Sequence, residues 1–294
     1  MDGTIDYRMV TIASVLKRSF DDRAGEQLVT LDPALQGLPD TAHGGSVLAV
    51  FDAVASVAGT RAVGGTYRRR VPLGVPLALA HGREGNAHVF ALRGEDGSVL
   101  VDGRVAAARA TDDLAHAAQP AAHAADGHRL PISRACFACG TDNPLGLQVQ
   151  LAFDETTVSG AWTPREPFRD ADDALAPAAL TTLLDEAAFW LGALATGESG
   201  MTTVLDVTLH RRVPFGTPIT VAGRRASARP RPDDRRYWDT EVAAYDSAGA
   251  RVASGRITFV AVRGAARRLV AGMLAINDAD IVRRVFPAYA PARA

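Results

Sequence analysis

A His-Gly-Gly triplet and an acid lie nine residues apart in one amphipathic segment near the N-terminus. The segment AHGGSVLAVFDAVAS (42–56) contains His43, Gly44 and Gly45 and then Asp52. A helix N-terminus has free N–H groups and a partial positive charge, and glycine lets a ligand oxygen approach them closely. Such a helix start could hold a carbonyl oxygen as an oxyanion site, with Asp52 as general base or nucleophile.

One helix cannot complete this site alone. Gly44 and Asp52 are eight residues apart in the sequence, which corresponds to roughly 12 Å along a helix axis. A carbonyl held at Gly44 is therefore out of reach of Asp52. A second helix must supply the acid.

The chain provides a second helix because it repeats itself. Three blocks return in the same order, and they pair 43–55 with 176–188, 67–83 with 210–225, and 95–108 with 246–261. The first of these alignments pairs Asp52 with Asp185. Three blocks in one order predict two copies of one domain.

Each copy reads as one long amphipathic helix and several antiparallel strands, which is an α+β layer of a helix packed on a sheet. We predict an N-terminal domain over 1–110, a linker over 111–135 and a C-terminal domain over 136–294. The last domain should end in a helical tail capped by Asn277. The linker is predicted from its richness in Ala, His and Asp and from its prolines.

The two copies differ at the helix start. Positions 176–178 hold Ala-Pro-Ala where positions 43–45 hold His-Gly-Gly. Proline has no N–H and cannot donate to an oxyanion. We therefore predict one site per chain, formed by Gly44 and Gly45 of the first copy and Asp185 of the second.

Three more residues belong to this predicted site or its remnant. Glu186 is a reserve acid that points about 100° away from Asp185 around the helix. Asp52 should face the disabled helix start of the second copy. We expect His43 to fix the loop before its helix through a backbone hydrogen bond.

The His-Gly-Gly start with an Asp nine residues after the His resembles the hotdog-fold thioesterases, most closely those of the phenylacetic-acid type. The segment CFACGTDNPLGL (136–147) also resembles the segment that begins many relatives of that group. The resemblance covers both repeats. It implies a double hotdog, in which each repeat has a long central helix on a curved antiparallel sheet, with sites between the two helices.

The resemblance also implies an activity, hydrolysis of an acyl-CoA or other acyl thioester, with that thioester as the binding partner and no cofactor. Homo-oligomers of the double-hotdog unit are a further possibility. Two alternatives stay open: a non-catalytic acyl-CoA-binding or scaffold protein, and a hotdog dehydratase or hydratase. Asp142, Asn143 and Pro144 resemble part of a hydratase motif, but Gly146 stands where its histidine would be, which favours a turn.

Arginines precede the same VPxGxP turn in both copies. Arg68, Arg69 and Arg70 do so in the first copy, and Arg211 and Arg212 in the second. Guanidinium groups bind phosphates well, so Arg68, Arg69, Arg211 and Arg212 are candidate contacts for coenzyme A. Solvated strand positions are the alternative interpretation.

Two cysteines form a Cys-x-x-Cys motif at Cys136 and Cys139. A closed zinc site usually needs four ligands, so we predict a thiol pair packed in a turn and no metal, with redox activity as a lesser alternative. Two cysteines are also too few for a disulfide framework, which favours a cytoplasmic location.

The composition argues against several other functions. The net charge of −1 gives no broad basic surface for nucleic acid. The N-terminal segment lacks the pattern of a signal peptide. No apolar run in the sequence approaches the length that a membrane span needs.

Overall fold

The computed structural model describes residues 10–23, 26–109 and 127–289. The first part of the chain forms α1 (Ile12–Arg18), β1 (Phe20–Arg23), β2 (Glu26–Thr30), α2 (Gly44–Ala55), β3 (Arg61–Tyr67), β4 (Pro76–Glu84), β5 (Ala87–Arg93) and β6 (Val99–Ala107). The second part forms β7 (His128–Arg129), β8 (Ala152–Phe153), β9 (Thr157–Trp162), β10 (Arg169–Asp170), β11 (Ala174–Leu175), α3 (Pro177–Thr196), β12 (Gly200–Leu209), β13 (Ile219–Arg224), β14 (Arg229–Pro230), β15 (Tyr237–Tyr245), β16 (Arg251–Ala261), α4 (Ala266–Leu274) and α5 (Ala279–Val285).

One continuous antiparallel sheet crosses both halves of the chain. Outward from its centre the first half runs β3-β6-β5-β4-β2-β1, and the second runs β12-β16-β15-β13-β9-β8. Each of these strands thus has a counterpart in the other half, and β7 extends the second half beyond β8. The halves join where β3 pairs with β12, from Thr66↔Val204 to Arg61↔Leu209. This arrangement confirms the predicted α+β fold of two repeats.

The two central helices pack against each other and on this sheet. Helix α2 buries Val47, Val50 and Phe51, and it contacts β3, β6 and β12. Helix α3 contacts β12, β13, β15 and β16 of its own half. Because α3 has neighbours on several sides, apolar residues occupy most of its circumference.

Helix α3 is also long and apolar enough to cross a membrane, judged by length and composition alone. The sequence expectation that no segment meets this criterion was therefore wrong. Most of the helix is buried inside the molecule, and a core helix passes the same test.

The repeated VPxGxP turn has a conformational cause. Gly74 and Gly216, which the repeat aligns, have φ angles of 70° and 84°. No atom lies within 4 Å of a Cβ added to either residue. Space is therefore open at both turns, and glycine suits them because of the left-handed backbone.

The end of the chain differs in detail from the prediction. Asp278, not Asn277, caps the final helix α5 by accepting from the Asp280 N–H. Asn277 instead forms two hydrogen bonds with the backbone of Ile132. Helix α4, which precedes α5, was not predicted. The tail is helical as expected, but it begins earlier.

The predicted linker at 111–135 lies mainly outside the described residues, since 110–126 are among those not described. Its last part includes β7, which pairs with β8 at the edge of the sheet. The domain boundaries at 110 and 136 remain predictions.

Candidate functional site

Helices α2 and α3 approach each other closely at their N-terminal ends. A Cβ added to Gly45 would lie 2.6 Å from both the Cα and the N of Thr182. The Thr181 hydroxyl donates to the Gly45 carbonyl at 2.8 Å. Glycine is therefore required at position 45 for the two backbones to touch, and this contact brings Asp185 to the start of α2.

The Asp185 carboxylate is buried and surrounded by donors. Its Oδ2 accepts from the Gly45 N–H at 3.0 Å and lies 3.1 Å from His43 Nδ1. Its Oδ1 accepts from the Thr202 hydroxyl on β12 at 2.7 Å. Burial by itself raises the pKa of Asp185, but the charge of His43 and these hydrogen bonds outweigh it and lower the pKa below 3.8. Asp185 is therefore an anion at neutral pH.

His43 stands between two acids. Its Nε2 lies 3.6 Å from Glu186 Oε2, on the side opposite Asp185. Burial disfavours the imidazolium, but Asp185 and Glu186 raise the pKa of His43 well above 6.5. The Trp190 indole N–H donates to the other Glu186 oxygen at 2.8 Å. Sequence reasoning thus placed Glu186 near the site but missed its contact with His43.

The expected backbone contact of His43 is present in the geometry. Gly45 N lies 3.2 Å from His43 Nδ1, which makes His43 the N-cap residue of α2. A protonated Nδ1 has no lone pair, however. When His43 is charged, the Gly45 N–H can donate only to Asp185, and the main partner of His43 is that carboxylate.

The N–H of Gly44 is the unused donor of this helix start. It has no hydrogen-bond acceptor among the described parts of the chain, as expected for the first turn of a helix. A Cβ on Gly44 would lie 2.6 Å from Asp185 Oδ2. The Tyr67 hydroxyl donates to the Gly44 carbonyl at 2.6 Å. A free donor and an ionised carboxylate are therefore side by side.

A cavity of about 110 Å³ opens at this point, and Gly44, His43, Asp185 and Glu186 line it. Its apolar wall includes residues of α3 and of the unpredicted α4: Phe189, Trp190, Leu269 and Met273. The cavity therefore joins the helix start to an apolar surface that could contact an acyl group.

Asp52 has different surroundings from its repeat partner. It accepts from Arg61 Nε at 2.5 Å and from Arg61 Nη2 at 2.7 Å. It shares a second hollow with Ala176, Pro177 and Ala178. The structure thus places Asp52 opposite the altered helix start, as the repeat predicts, and gives it a cationic partner.

Of the four arginines proposed as cofactor contacts, only Arg69 lines the cavity, together with the neighbouring Arg70. The other three, Arg68, Arg211 and Arg212, do not line it, and all four are exposed. Each of the four forms an ion pair with a nearby acid. The pairs are Arg68–Asp102, Arg69–Asp96, Arg211–Asp246 and Arg212–Asp172. Of the four predicted arginines, Arg69 thus lies at the cavity, and Arg70, which was not among them, lies there too.

Sequence reasoning missed Thr202, Tyr67 and Cys136 as residues of the site. Thr202 lies on β12 and Tyr67 on β3. Only the packing of these strands against α3 and α2 brings Thr202 to Asp185 and Tyr67 to Gly44. The Cys-x-x-Cys motif did mark Cys136, but nothing in the sequence placed its loop beside His43 and Glu186.

No family model matches the sequence, and no curated protein does either. Solved structures resemble the chain at low sequence identity. A proposed thioesterase II from Thermobifida fusca has a TM-score of 0.61 at 19% identity, and the match covers 87% of this chain and 99% of that one. A protein of unknown function with a hotdog fold from Alicyclobacillus acidocaldarius has a TM-score of 0.58 at 14% identity, covering 85% and 97%.

A dehydratase domain, that of RzxB from Pseudomonas fluorescens, is also similar. Its TM-score is 0.54 at 13% identity, and the match covers 80% of this chain and 93% of that one. These likenesses extend over both halves of the chain and show its fold, which is the double hotdog. The similar structures include thioesterases and dehydratases, so the fold alone does not select the reaction.

Proposed function

We propose that this double-hotdog chain hydrolyses an acyl-CoA or another acyl thioester at the single site between α2 and α3. One observation carries the proposal: the unused Gly44 N–H lies beside the ionised Asp185. The first can bind a carbonyl oxygen, and the second can act on the carbonyl carbon.

The thioester oxygen would accept from the Gly44 N–H at the positive end of α2. As negative charge develops on that oxygen, the helix start and the charged His43 stabilise it. Asp185 then attacks the carbonyl carbon itself or removes a proton from an attacking water. The carbon–sulfur bond breaks, and the leaving sulfur takes a proton. With water as the nucleophile the carboxylic acid forms directly, whereas after direct attack a second step, in which water hydrolyses the Asp185 anhydride, releases it.

The neighbours of Asp185 determine how it can act. Three donors hold its carboxylate in one position, which favours a fixed angle of approach to the substrate. The same donors make it a weak base. Single turnover in heavy-oxygen water tests for direct attack: label in the Asp185 side chain requires an anhydride that water opens at the Asp185 carboxyl carbon, whereas base catalysis places all of the label in the product acid.

A pair of matched variants tests the proposal. We expect Asp185→Asn to lower thioester hydrolysis by at least about 100-fold, the scale of a lost acid–base group. Asp52→Asn changes the equivalent acid in the other repeat and should keep most of the activity of the folded enzyme. Free-thiol release from a panel of acyl-CoAs measures both. Loss of activity in Asp52→Asn alone would contradict the assignment.

A dehydratase is the second candidate, because the structure brings together a histidine and an acid. His43 comes from the first half and Asp185 from the second, 3.1 Å apart. Such a pair could move the two protons needed to remove water from a 3-hydroxyacyl thioester. Formation of the conjugated enoyl product without thiol release would favour this reaction over hydrolysis.

A non-catalytic acyl-CoA-binding protein is the remaining alternative. Calorimetric binding of acyl-CoA with neither thiol release nor enoyl formation would favour it. In all three cases we propose that Arg69 and Arg70 contact the phosphates of coenzyme A, since they line the cavity.

A further inference from the structure

Three buried donor groups meet next to the proposed catalytic site. His43, Cys136 and Glu186 each offer one ligand atom, and these atoms lie within 4.8 Å of one another. The three residues are 5–6% exposed. They come from the residue before α2, the loop before β8, and α3. The fold therefore concentrates a nitrogen, a sulfur and an oxygen donor from distant parts of the sequence.

Neighbouring side chains orient the ligand atoms of His43 and Glu186 toward this cluster. His43 Nδ1 contacts the Asp185 carboxylate, so Nε2 is the ring nitrogen that faces Glu186. A histidine that binds a metal usually donates its other N–H to a carboxylate in this way. Glu186 Oε1 accepts a hydrogen bond from the Trp190 indole N–H, so Oε2 is the oxygen that faces His43.

The cysteine loop has a tight shape that brings two sulfurs together. The Ala138 N–H donates to Cys136 Sγ at 3.3 Å, and the Gly140 N–H donates to the Cys136 carbonyl at 2.9 Å. A Cβ on Gly140 would lie 2.2 Å from that carbonyl oxygen, so only glycine fits. The Cys139 thiol is also buried, and it lines the same cavity as Cys136. The N–H donor stabilises a thiolate at Cys136.

We propose that His43, Cys136 and Glu186 bind a divalent metal ion of the zinc class. Imidazole, thiolate and carboxylate are the ligands that zinc takes in proteins, and three of them leave the fourth tetrahedral position open to water or another ligand. Thiolate ligands disfavour magnesium and calcium, which prefer oxygen.

The ion would hold three parts of the fold together. It would attach the start of the second half, through its cysteine loop, to the residue that precedes α2 and to α3. It would also take the place of the proton on His43 Nε2, so a positive charge would remain beside Asp185. The inference does not depend on the proposed reaction, because metal binding is measured without any substrate.

The test uses the full chain, kept reduced with a phosphine, stripped with a chelator and dialysed against Zn²⁺. We expect one zinc per chain by emission spectroscopy. Replacement by Co²⁺ should give a thiolate-to-metal charge-transfer band. Cys136→Ser and Glu186→Gln should each weaken binding by more than tenfold, and Asp185→Asn should weaken it about 10–100-fold as a second-sphere change.

A control variant removes an unrelated histidine pair. His81 Nε2 and His88 Nδ1 lie 2.9 Å apart on β4 and β5, and such a pair can bind metal weakly by itself. His81→Ala should leave the single tight zinc unchanged. Zinc that is lost in His81→Ala but kept in Cys136→Ser would overturn the proposal, as would a Co²⁺ spectrum without a thiolate band. Circular dichroism of each variant shows whether it is folded.

Discussion

Two aspartates at equivalent positions of the repeat have opposite environments. Asp52 is paired with Arg61 and faces Pro177, whereas Asp185 is bound by donors from Gly45, Thr202 and His43. Both are acids on a central helix. What separates them chemically is the structure opposite each one, because only Asp185 faces a helix start with a free N–H.

The His43–Asp185 pair predicts how stability depends on pH. The folded-state pKa of His43 is raised well above 6.5, so its contribution is fully present below pH 6.5 and is lost as the pH rises through the folded value. The pKa of Asp185 is lowered below 3.8, so its contribution is present above that pH and is lost as the pH falls through the folded value.

Urea unfolding of the chelator-stripped protein at a series of pH values checks this expectation, because a metal ion on His43 would replace the proton that titrates. The difference in free energy of unfolding between the wild type and His43→Asn should shrink on the alkaline side of neutrality. The corresponding difference for Asp185→Asn should shrink under acidic conditions. Curves that stay parallel across the whole range would show that the pair has no linked protonation.

The Asp52–Arg61 pair predicts a stability effect without a catalytic one. Asp52→Asn leaves the half-buried Arg61 with a weaker acceptor, and we expect it to cost about 1–3 kcal/mol of unfolding free energy. The double variant Asp52→Asn/Arg61→Gln removes the unpaired charge and should recover part of that loss. Urea unfolding of the three proteins measures it, and equal destabilisation of the single and double variants would argue against the pair.

At the scale of elements, two neighbouring glycines at the start of α2 have different roles, one in the catalytic site and the other in helix packing. Gly44 faces the Asp185 side chain, while Gly45 faces the backbone of α3 at Thr182. The first glycine keeps space for the acid and the substrate. The second allows the two helices to touch.

Substituting each glycine by alanine should therefore give different results. Gly44→Ala should displace the Asp185 carboxylate from its donors and lower activity at least tenfold, with a smaller loss of stability than Gly45→Ala. Gly45→Ala should force the helices apart and destabilise the fold by about 1–3 kcal/mol, the usual cost of overpacking. Thermal unfolding and thiol-release kinetics of both variants separate the effects, and identical behaviour would contradict this division.

At the scale of the whole molecule, the continuous sheet couples the two halves. Strands β3 and β12 pair directly at its centre, and α2 packs on α3 above them. Neither half could bury this seam by itself. The site lies at the seam, so it exists only when both halves are folded together.

Tryptophan fluorescence offers a test of this coupling, because Trp162, Trp190 and Trp238 all lie in the second half. Val63 is fully buried on β3 in the first half. Val63→Ala should lower the urea midpoint seen by fluorescence as much as the midpoint seen by far-ultraviolet circular dichroism. A fluorescence midpoint that stays at the wild-type value would show that the halves unfold separately.

The sequence by itself determined the fold class and the repeat. Periodic apolar positions and turn residues recur in the same order in both copies, and these local preferences act over a few residues. The rise of a helix was enough to show that Gly44 and Asp52 cannot meet. The loss of His-Gly-Gly before Pro177 was enough to predict that the two halves differ.

Only the tertiary structure decided which groups surround Asp185. The contacts of Asp185 with Thr202, of His43 with Glu186, and of Cys136 with His43 and Glu186 depend on how helices cross and strands pair, and they span between 17 and 143 residues of the sequence. Helix α4, which closes part of the cavity, was missed for the same reason. Propensities set each element locally, whereas backbone contact at Gly45 fixes the distance between helices and so the chemistry between them.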